Sequence, residues 1–170
     1  MMGGPAVELR SVSIADLPFL TEMALLASFP PGPLPVGASQ MPRVVRWTQD
    51  WGRPGDAGVV AWRNGARIGA AWCRIHDEMI ARDEEGRPSP EVAIAILPDH
   101  RSSGIGTRML AGLVSECAKS GQRALSLTVN AHNPAHRLYE RAGFVLVRRE
   151  GDCLTMVASP LGPNESTAWP

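Results

Sequence analysis

The sequence predicts an α/β fold, a mixed sheet with helices packed against it, on three observations. Strand-length apolar runs recur along the chain, and one of them, Val92 to Leu97, has no polar interruption. Residues 104–120 carry the pattern of an amphipathic helix. Asn64-Gly65 joins two strand-like runs with the residue pair that a tight hairpin turn prefers. At 170 residues, 44% hydrophobic and 20% charged, the chain has the composition of one globular domain, 1–170, able to bury a core without disulfides or metal. The balance of 17 Lys+Arg against 17 Asp+Glu leaves no basic excess to displace counterions from a polyanion, so no nucleic-acid partner is expected. Cys73, Cys117 and Cys153 are odd in number and show no C-x-x-C spacing, which argues against a disulfide framework and a thiolate zinc site and favours a reducing cytoplasm. No apolar run approaches the roughly 18 residues that span a bilayer, and the first residues lack the apolar segment of a signal peptide, so no membrane role is expected.

In chain order, Ala6 to Val12 alternates as a strand, and Asp16 stands where it could cap a helix that carries Leu17, Leu20, Ala24 and Ser28 on one face. Four prolines between Phe29 and Ser39 forbid regular structure, and "QMPRVVRWTQDW" after them is a weaker helical pattern. Ala57 to Asn64 and Ala66 to Ile75 then form the hairpin, and His76 to Ser89 is a polar loop. The apolar run Val92 to Leu97 suits a central strand covered on both faces. In the helix that follows, Ile105, Met109, Leu110, Leu113, Val114 and Cys117 share a face, and Gly121 stands where the helix ends. Ala124 to Val129 alternates as the next strand. Asn133 as cap, Pro134 at the first helical position and Gly143 past the last turn mark a short helix over Pro134 to Ala142. Strands Phe144 to Glu150 and Cys153 to Ala158 pair across Gly151-Asp152, and residues 159–170 read as a flexible tail.

The junction "AILPDHRSSGIGTRML" is where chemistry enters. A buried strand, a break at Pro98, then Arg101 to Gly106 opening the best helix compose a cradle for an anion, because the first N–H groups of a helix have no internal partner and glycine lets a ligand approach the backbone. It is not a nucleoside-triphosphate loop, since no Lys follows Gly106, nor a dinucleotide fingerprint, since Met109 stands at the third glycine and no acidic residue ends the next strand.

Arg101 to Gly106 does fit [Q/R]-x-x-G-x-[G/A], the pyrophosphate loop of the GNAT superfamily of acetyl-CoA-dependent N-acetyltransferases. "NPAHRLYERAGF", Asn133 to Phe144, resembles the second characteristic segment of that family, about 30 residues later in the same order. The resemblance is strong over Glu91 to Phe144 and extends by element order over Val7 to Ala158. It implies a GNAT-like fold: a central mixed sheet of six to seven strands, with the fourth and fifth splayed apart and about four helices flanking it.

It also implies acetyl-CoA as cosubstrate, no metal, and attack of a primary amine of a small molecule or peptide on the thioester; a non-catalytic acyl-CoA-binding or sensing domain is the alternative. Main-chain groups of Ala95, Ile96 and Leu97 would pair with the pantetheine arm, one N–H near Ile96 polarising the thioester carbonyl, a contribution of roughly 3–4 kcal/mol. Arg101, Ser102, Ser103, Gly104, Ile105, Gly106 and Thr107 would wrap the pyrophosphate, with Asn133 or Asn130 touching the coenzyme as well. Tyr139, the single tyrosine of the chain, occupies the position the family uses beside the thiol, where a phenol serves as general acid. Glu91 is the candidate general base, provided no bulge shifts it from the face of Ala93, Ala95 and Leu97; His76, Asp77 and Glu78 are others. His132 and His136 have the spacing of a zinc pair without further ligands in register. Acceptor choice is expected from 29–51 and 57–75, where Trp47, Trp51, Trp62 and Trp72 either line a pocket or fill the core. Folds of this class often pair through edge strands, so a homodimer is a further expectation.

Overall fold

The computed structural model describes residues 6–29 and 31–159, so all but the first residue of the expected tail lies outside them. Strands β1 (Glu8–Ser11), β2 (Ala57–Arg63), β3 (Ala66–Arg74), β4 (Glu91–Ile96), β5 (Leu125–Asn130), β6 (Val145–Glu150) and β7 (Cys153–Ala158) form one sheet ordered β1-β2-β3-β4-β5-β7-β6. The helices are α1 (Leu17–Ser28), α2 (Pro42–Val45), α3 (Ile105–Lys119) and α4 (Ala135–Arg141). All pairings are antiparallel except that of β4 with β5. This is the mixed α/β architecture the sequence predicts.

Local chemistry explains most boundaries. Asn64 and Gly65 take φ of 52° and 77°, the pair of positive values that a two-residue hairpin of matching twist requires. In α3 the buried residues Ile105, Met109, Leu110, Leu113 and Cys117 fall on one stripe, and the chain leaves the helix through Gly121 at φ 78°. Alternation along β4 divides the core. Val92, Ile94 and Ile96 pack on the side of α3 and α4, while Ala93, Ala95 and Leu97 pack with Leu20, Met23 and Trp72 on the side of α1.

Two local expectations are corrected. Asp16 does not cap α1: its Oδ2 accepts from the Ser13 N–H at 2.9 Å and the Ser13 hydroxyl at 2.8 Å, and Oδ1 accepts from Arg67 Nε at 2.8 Å. The pattern from Gln40 to Trp51 gives only one helical turn, α2, followed by turns. Val44-Val45 is a poor pair for propagating a helix, and the carbonyls of Arg46, Gln49 and Asp50 accept from the Arg74 guanidinium at 3.0, 2.7 and 3.3 Å.

The feature that matters for function is a parting in the sheet. β4 stays in register with β3 from Glu91 to Ile96, and β5 stays in register with β7 from Leu125 to Asn130. Between β4 and β5 the pairing is confined to Glu91 opposite Ser126, where the Ser126 N–H donates to the Pro90 carbonyl at 2.9 Å. Beyond that vertex the two strands diverge.

Candidate functional site

The divergence leaves one edge of β4 without a strand. Leu97 N–H donates to Ile68 O in β3 at 2.9 Å, so by the alternation of a strand the main-chain groups of Ala95 and Ala93 also face β3, and those of Ile94 and Ile96 face the parting. This corrects the expectation for Ala95, whose polar groups are engaged with Ala70; Ile94 takes its place on the open edge. The Leu97 N–H is likewise committed to β3. The Ile96 carbonyl accepts from Arg101 Nε at 3.0 Å across the exposed surface.

At the mouth of the parting lies the glycine loop. Ser102 and Gly104 have φ of 59° and 75°, left-handed values of the kind found in turns whose backbone N–H groups form an anion-binding concavity. No N–H from Ser102 to Thr107 meets an acceptor among the described residues; the first bond of α3 runs from the Arg108 N–H to the Gly104 carbonyl at 3.2 Å. Ser103 Oγ donates to the His100 carbonyl at 2.9 Å, which ties the loop to the turn after β4. Gly106 lies close to its neighbours: a Cβ there would stand 3.2 Å from Leu138 Cδ2, which would have to give by a few tenths of an ångström, and 3.6 Å from Ile96 Cδ1. That close approach brings β4, α3 and α4 together around the open edge. Unpaired donors at the positive end of a helix form an anion site, and an unpaired strand edge forms an amide site.

Tyr139, on α4, is buried against Phe144 with ring centroids 5.9 Å apart. Burial alone pushes its hydroxyl up to about 12, so it stays protonated throughout the neutral range. The side-chain oxygen of Asn133 accepts from the Ala135 N–H at 2.9 Å as helix caps do, and that of Asn130 accepts from the His132 N–H at 2.8 Å. His132 lies 3.4 Å from Asp152 instead of joining His136, and no group of three metal-ligating side chains occurs among the described residues.

Glu91 stands at the vertex. β4 holds its register without a bulge, so Glu91 shares the α1 side of the sheet with Ala93, Ala95 and Leu97. Its Oε2 accepts from Arg46 Nη2 at 3.0 Å, and His76 Nε2 lies 3.8 Å from the same oxygen. Burial pushes the Glu91 carboxyl up while Arg46 opposes it. Arg46 Nε donates to His76 Nδ1 at 3.3 Å; a guanidinium can only donate, so the imidazole proton sits on Nε2. Burial, and then the charge of Arg46, lower His76 to about 4, and it is therefore neutral at pH 7. Trp47 packs edge-on to His76 with centroids 4.7 Å apart. Of the other tryptophans, Trp72 is fully buried and Trp62 lies between the guanidinium groups of Arg10 and Arg67, 4.5 and 4.6 Å from its ring centroid. Trp51 faces Arg74 at 5.5 Å, and Trp47 is the tryptophan that packs on His76 and, at 5.6 Å, under Arg46.

Three residues of this cluster were not legible beforehand. Arg74 is wholly buried, with Nε and Nη2 on the two oxygens of Asp56 at 2.8 and 2.7 Å, and it carries Arg46 through its carbonyl. An arginine ending the apolar run "ARIGAAWCRI" is a signal that a buried acid must exist, but nothing in the sequence says which. Arg46 has no signal at all.

A parted sheet with an amide-bearing edge and an anion cradle at its mouth defines an acetyl-CoA-binding fold. The chain belongs to the GNAT acetyltransferase family: residues 22–144 match the Acetyltransferase (GNAT) family. Among solved structures it is similar to yncA from Salmonella typhimurium, determined with its cofactor acetyl-CoA, at TM-score 0.69 and 19% identity over 91% of this chain and 94% of that one. The ribosomal-protein-S18-alanine N-acetyltransferase from Escherichia coli is similar at TM-score 0.66 and 22% identity, over 95% and 98% of the two chains. The paia N-acetyltransferase from Thermoplasma acidophilum, in complex with coenzyme A, gives TM-score 0.62 and 17% identity over 91% and 99%. No curated protein matches the chain. Among the described residues no helix is long and apolar enough to cross a membrane.

Proposed function

We propose that this protein transfers the acetyl group of acetyl-CoA to a primary amine of a small molecule or peptide, by direct attack of the amine on the thioester. The observation that carries the proposal is the conjunction of the free β4 edge with the unpaired N–H groups from Ser102 to Thr107. Bound acetyl-CoA would supply an activated acetyl group and a thiol leaving group. The N–H groups from Ser102 to Thr107 hold the pyrophosphate, and the Ile94 and Ile96 main-chain groups pair with the arm's amides. Arg101 exchanges the Ile96 carbonyl for a phosphate oxygen; the bond it leaves is exposed, so the exchange costs little. The Ile94 and Ile96 N–H groups are the two that can polarise the thioester carbonyl. Asn133 keeps its cap and offers only its amide nitrogen to the coenzyme.

Tyr139 faces the leaving sulfur. With its hydroxyl at about 12 and a thiol at about 8.5, complete proton transfer to a thiolate would run uphill by about 5 kcal/mol. Tyr139 therefore acts by donating a hydrogen bond as negative charge grows on sulfur; the thiolate then takes the proton that the attacking nitrogen loses from the tetrahedral species, and the proton left for Glu91 is the one an incoming ammonium gives up before attack. Glu91 receives protons on the acceptor side. Its Cα lies about 10 Å along β4 from that of Ile94, a span that the Glu91 side chain and the amine it faces bridge with at most one water.

One observation favours the alternative, a non-catalytic acyl-CoA-binding or sensing domain: the candidate base is already committed to Arg46. Thiol release over a panel of amines separates the two, since coenzyme binding without turnover across the panel belongs to the sensor. For the enzyme, Tyr139→Phe should lower kcat by about ten-fold to a hundred-fold with the coenzyme Kd retained. Unchanged turnover removes Tyr139 from the mechanism.

A further inference from the structure

Odd-numbered side chains of β4 point to the side of α1, away from α3 and α4. If the arm lies in the parting beside Gly106 and Tyr139, an acceptor reaches the vertex from the α1 side, where the first ionic groups it meets are Glu91 and Arg46. The two are inseparable for a ligand. An amine hydrogen-bonded to the Glu91 carboxylate lies within about 6 Å of the Arg46 guanidinium, because Nη2 is itself 3.0 Å from Oε2. A bare ammonium or a polyamine meets the positive charge of Arg46 there and brings nothing to pair with it.

Arg46 is also built to receive an anion. Its carbonyl is fixed by Arg74 Nη1 at 3.0 Å and its Nε by His76 Nδ1 at 3.3 Å, so the planar fork is oriented before a ligand arrives. Only Nε and one Nη2 hydrogen are used among the described residues, and the side chain is 38% exposed, which leaves the Nη1 group and the second Nη2 hydrogen free. On the buried flank, His76 Nε2 has no hydrogen-bond partner and points at Glu91. One turn upstream, Arg43 stacks on Phe29 at 3.9 Å and makes no ion pair among the described residues. Of the remaining charges, Asp56 is held by Arg74, the charge of Arg53 reaches His76, and Asp50, Arg53, Asp77 and Glu78 make no ion pair with Arg46 or Glu91.

We infer that the acceptor is a small aminocarboxylate, its amine held by Glu91 and its carboxylate by the Arg46 fork, with Arg43 as an outer cation. This deepens the proposed acetyl transfer and rests on it for the identity of the reaction, though not for binding. Arg46 is then a specificity-determining residue.

The test compares matched pairs on the full chain saturated with coenzyme: β-alanine with ethylamine, leucine with isoamylamine, phenylalanine with phenethylamine, and spermidine alone. Binding is read by calorimetry with coenzyme A, and turnover by thiol release with acetyl-CoA. In at least one pair the aminocarboxylate should bind, and be turned over, about ten-fold or more better than its decarboxylated partner. Arg46→Met should bring that ratio to within about three-fold, with the loss on KM more than on kcat, and Arg46→Lys should restore only part of it. Decarboxylated amines or spermidine used as well as the aminocarboxylates overturn the inference and leave acetyl transfer standing. Arg46-dependent binding of an aminocarboxylate without thiol release sinks the proposed reaction and leaves the inference standing. If no member of any pair binds, the inference is wrong.

Discussion

The two sides of β4 are built from different materials. On the side of α3 and α4 the candidate site is backbone: N–H groups freed by positive φ at Ser102 and Gly104, a strand edge freed by the parting, and a glycine that lets three elements touch. On the side of α1 and α2 it is side chain: Asp56 holds Arg74, Arg74 holds the carbonyls of Arg46, Gln49 and Asp50, and Arg46 bridges His76 and Glu91. A backbone site binds what every member of a fold class binds, since its donors do not depend on side-chain identity. A side-chain site can be rewritten without disturbing the fold, which is where acceptor choice belongs.

If the two sides are as independent as their construction suggests, the largest effect comes from breaking the acceptor side at its root. Arg74→Met leaves the Asp56 carboxylate, its side chain only 2% exposed, without its cationic partner and held only by the Gly52 and Arg53 N–H groups at 2.9 and 3.0 Å, and it strips three carbonyls of their donor. Loss of one member of such a pair costs about 3–5 kcal/mol, which lowers Tm by about 10 °C in a chain of this size. Replacing both partners, Arg74→Met with Asp56→Leu, should recover a good part of that loss. Coenzyme affinity in either variant, measured below its new Tm, should stay within about three-fold of the parent. A collapse of coenzyme binding would show that the two sides are one cooperative unit.

The same difference in material decided what could be read from the sequence. Positive φ and helix starts are local, so the helix that opens after Arg101 to Gly106, the short helix between Asn133 and Gly143 and the Asn64-Gly65 turn were legible from spacing. The parallel pairing of β4 with β5 and its early end were not; they came only through resemblance to a family. The expectation for Ala95 failed by one residue because which strand edge is open depends on pairing with β3, a fact that no run of apolar residues contains. The acceptor side was illegible for a stronger reason. Its contacts join residues 18 to 45 positions apart, and each partner is an ordinary arginine or acid until the fold brings it to the other. Asp16 shows the same limit on a small scale, turned back to Ser13 and across to Arg67 instead of capping α1.

His76 offers a gentler way to separate the sides. Its folded value, about 4, is below the ordinary 6.5, so its stabilising contribution is complete above pH 6.5 and is lost as pH falls toward 4. Glu91 works in the opposite direction: its raised value makes folding more favourable as pH falls through the carboxylate range. Asp56 and Asp16 are held low, so their contributions are lost only below the ordinary carboxylate range. Between pH 6.5 and about 5 the slope of stability against pH should therefore belong largely to His76. His76→Phe should flatten it, while a slope unchanged in the variant assigns that window to other groups.

The smallest expected effect lies on the backbone side, at Gly104. No atom lies within 4 Å of a Cβ built there, so Gly104→Ala changes nothing but the ease of holding φ at 75°. That costs about 1 kcal/mol, a fall of a few degrees in Tm, and Gly104→Asn should cost less because asparagine tolerates the left-handed region. The same strain loosens the alignment of the N–H groups on either side. Coenzyme affinity should therefore weaken by several-fold in Gly104→Ala and recover in Gly104→Asn, in step with Tm. A loss of affinity that Asn does not recover would mean that a ligand atom occupies the open space above Gly104, and the cradle would then owe its selectivity to the missing side chain as well as to its backbone donors.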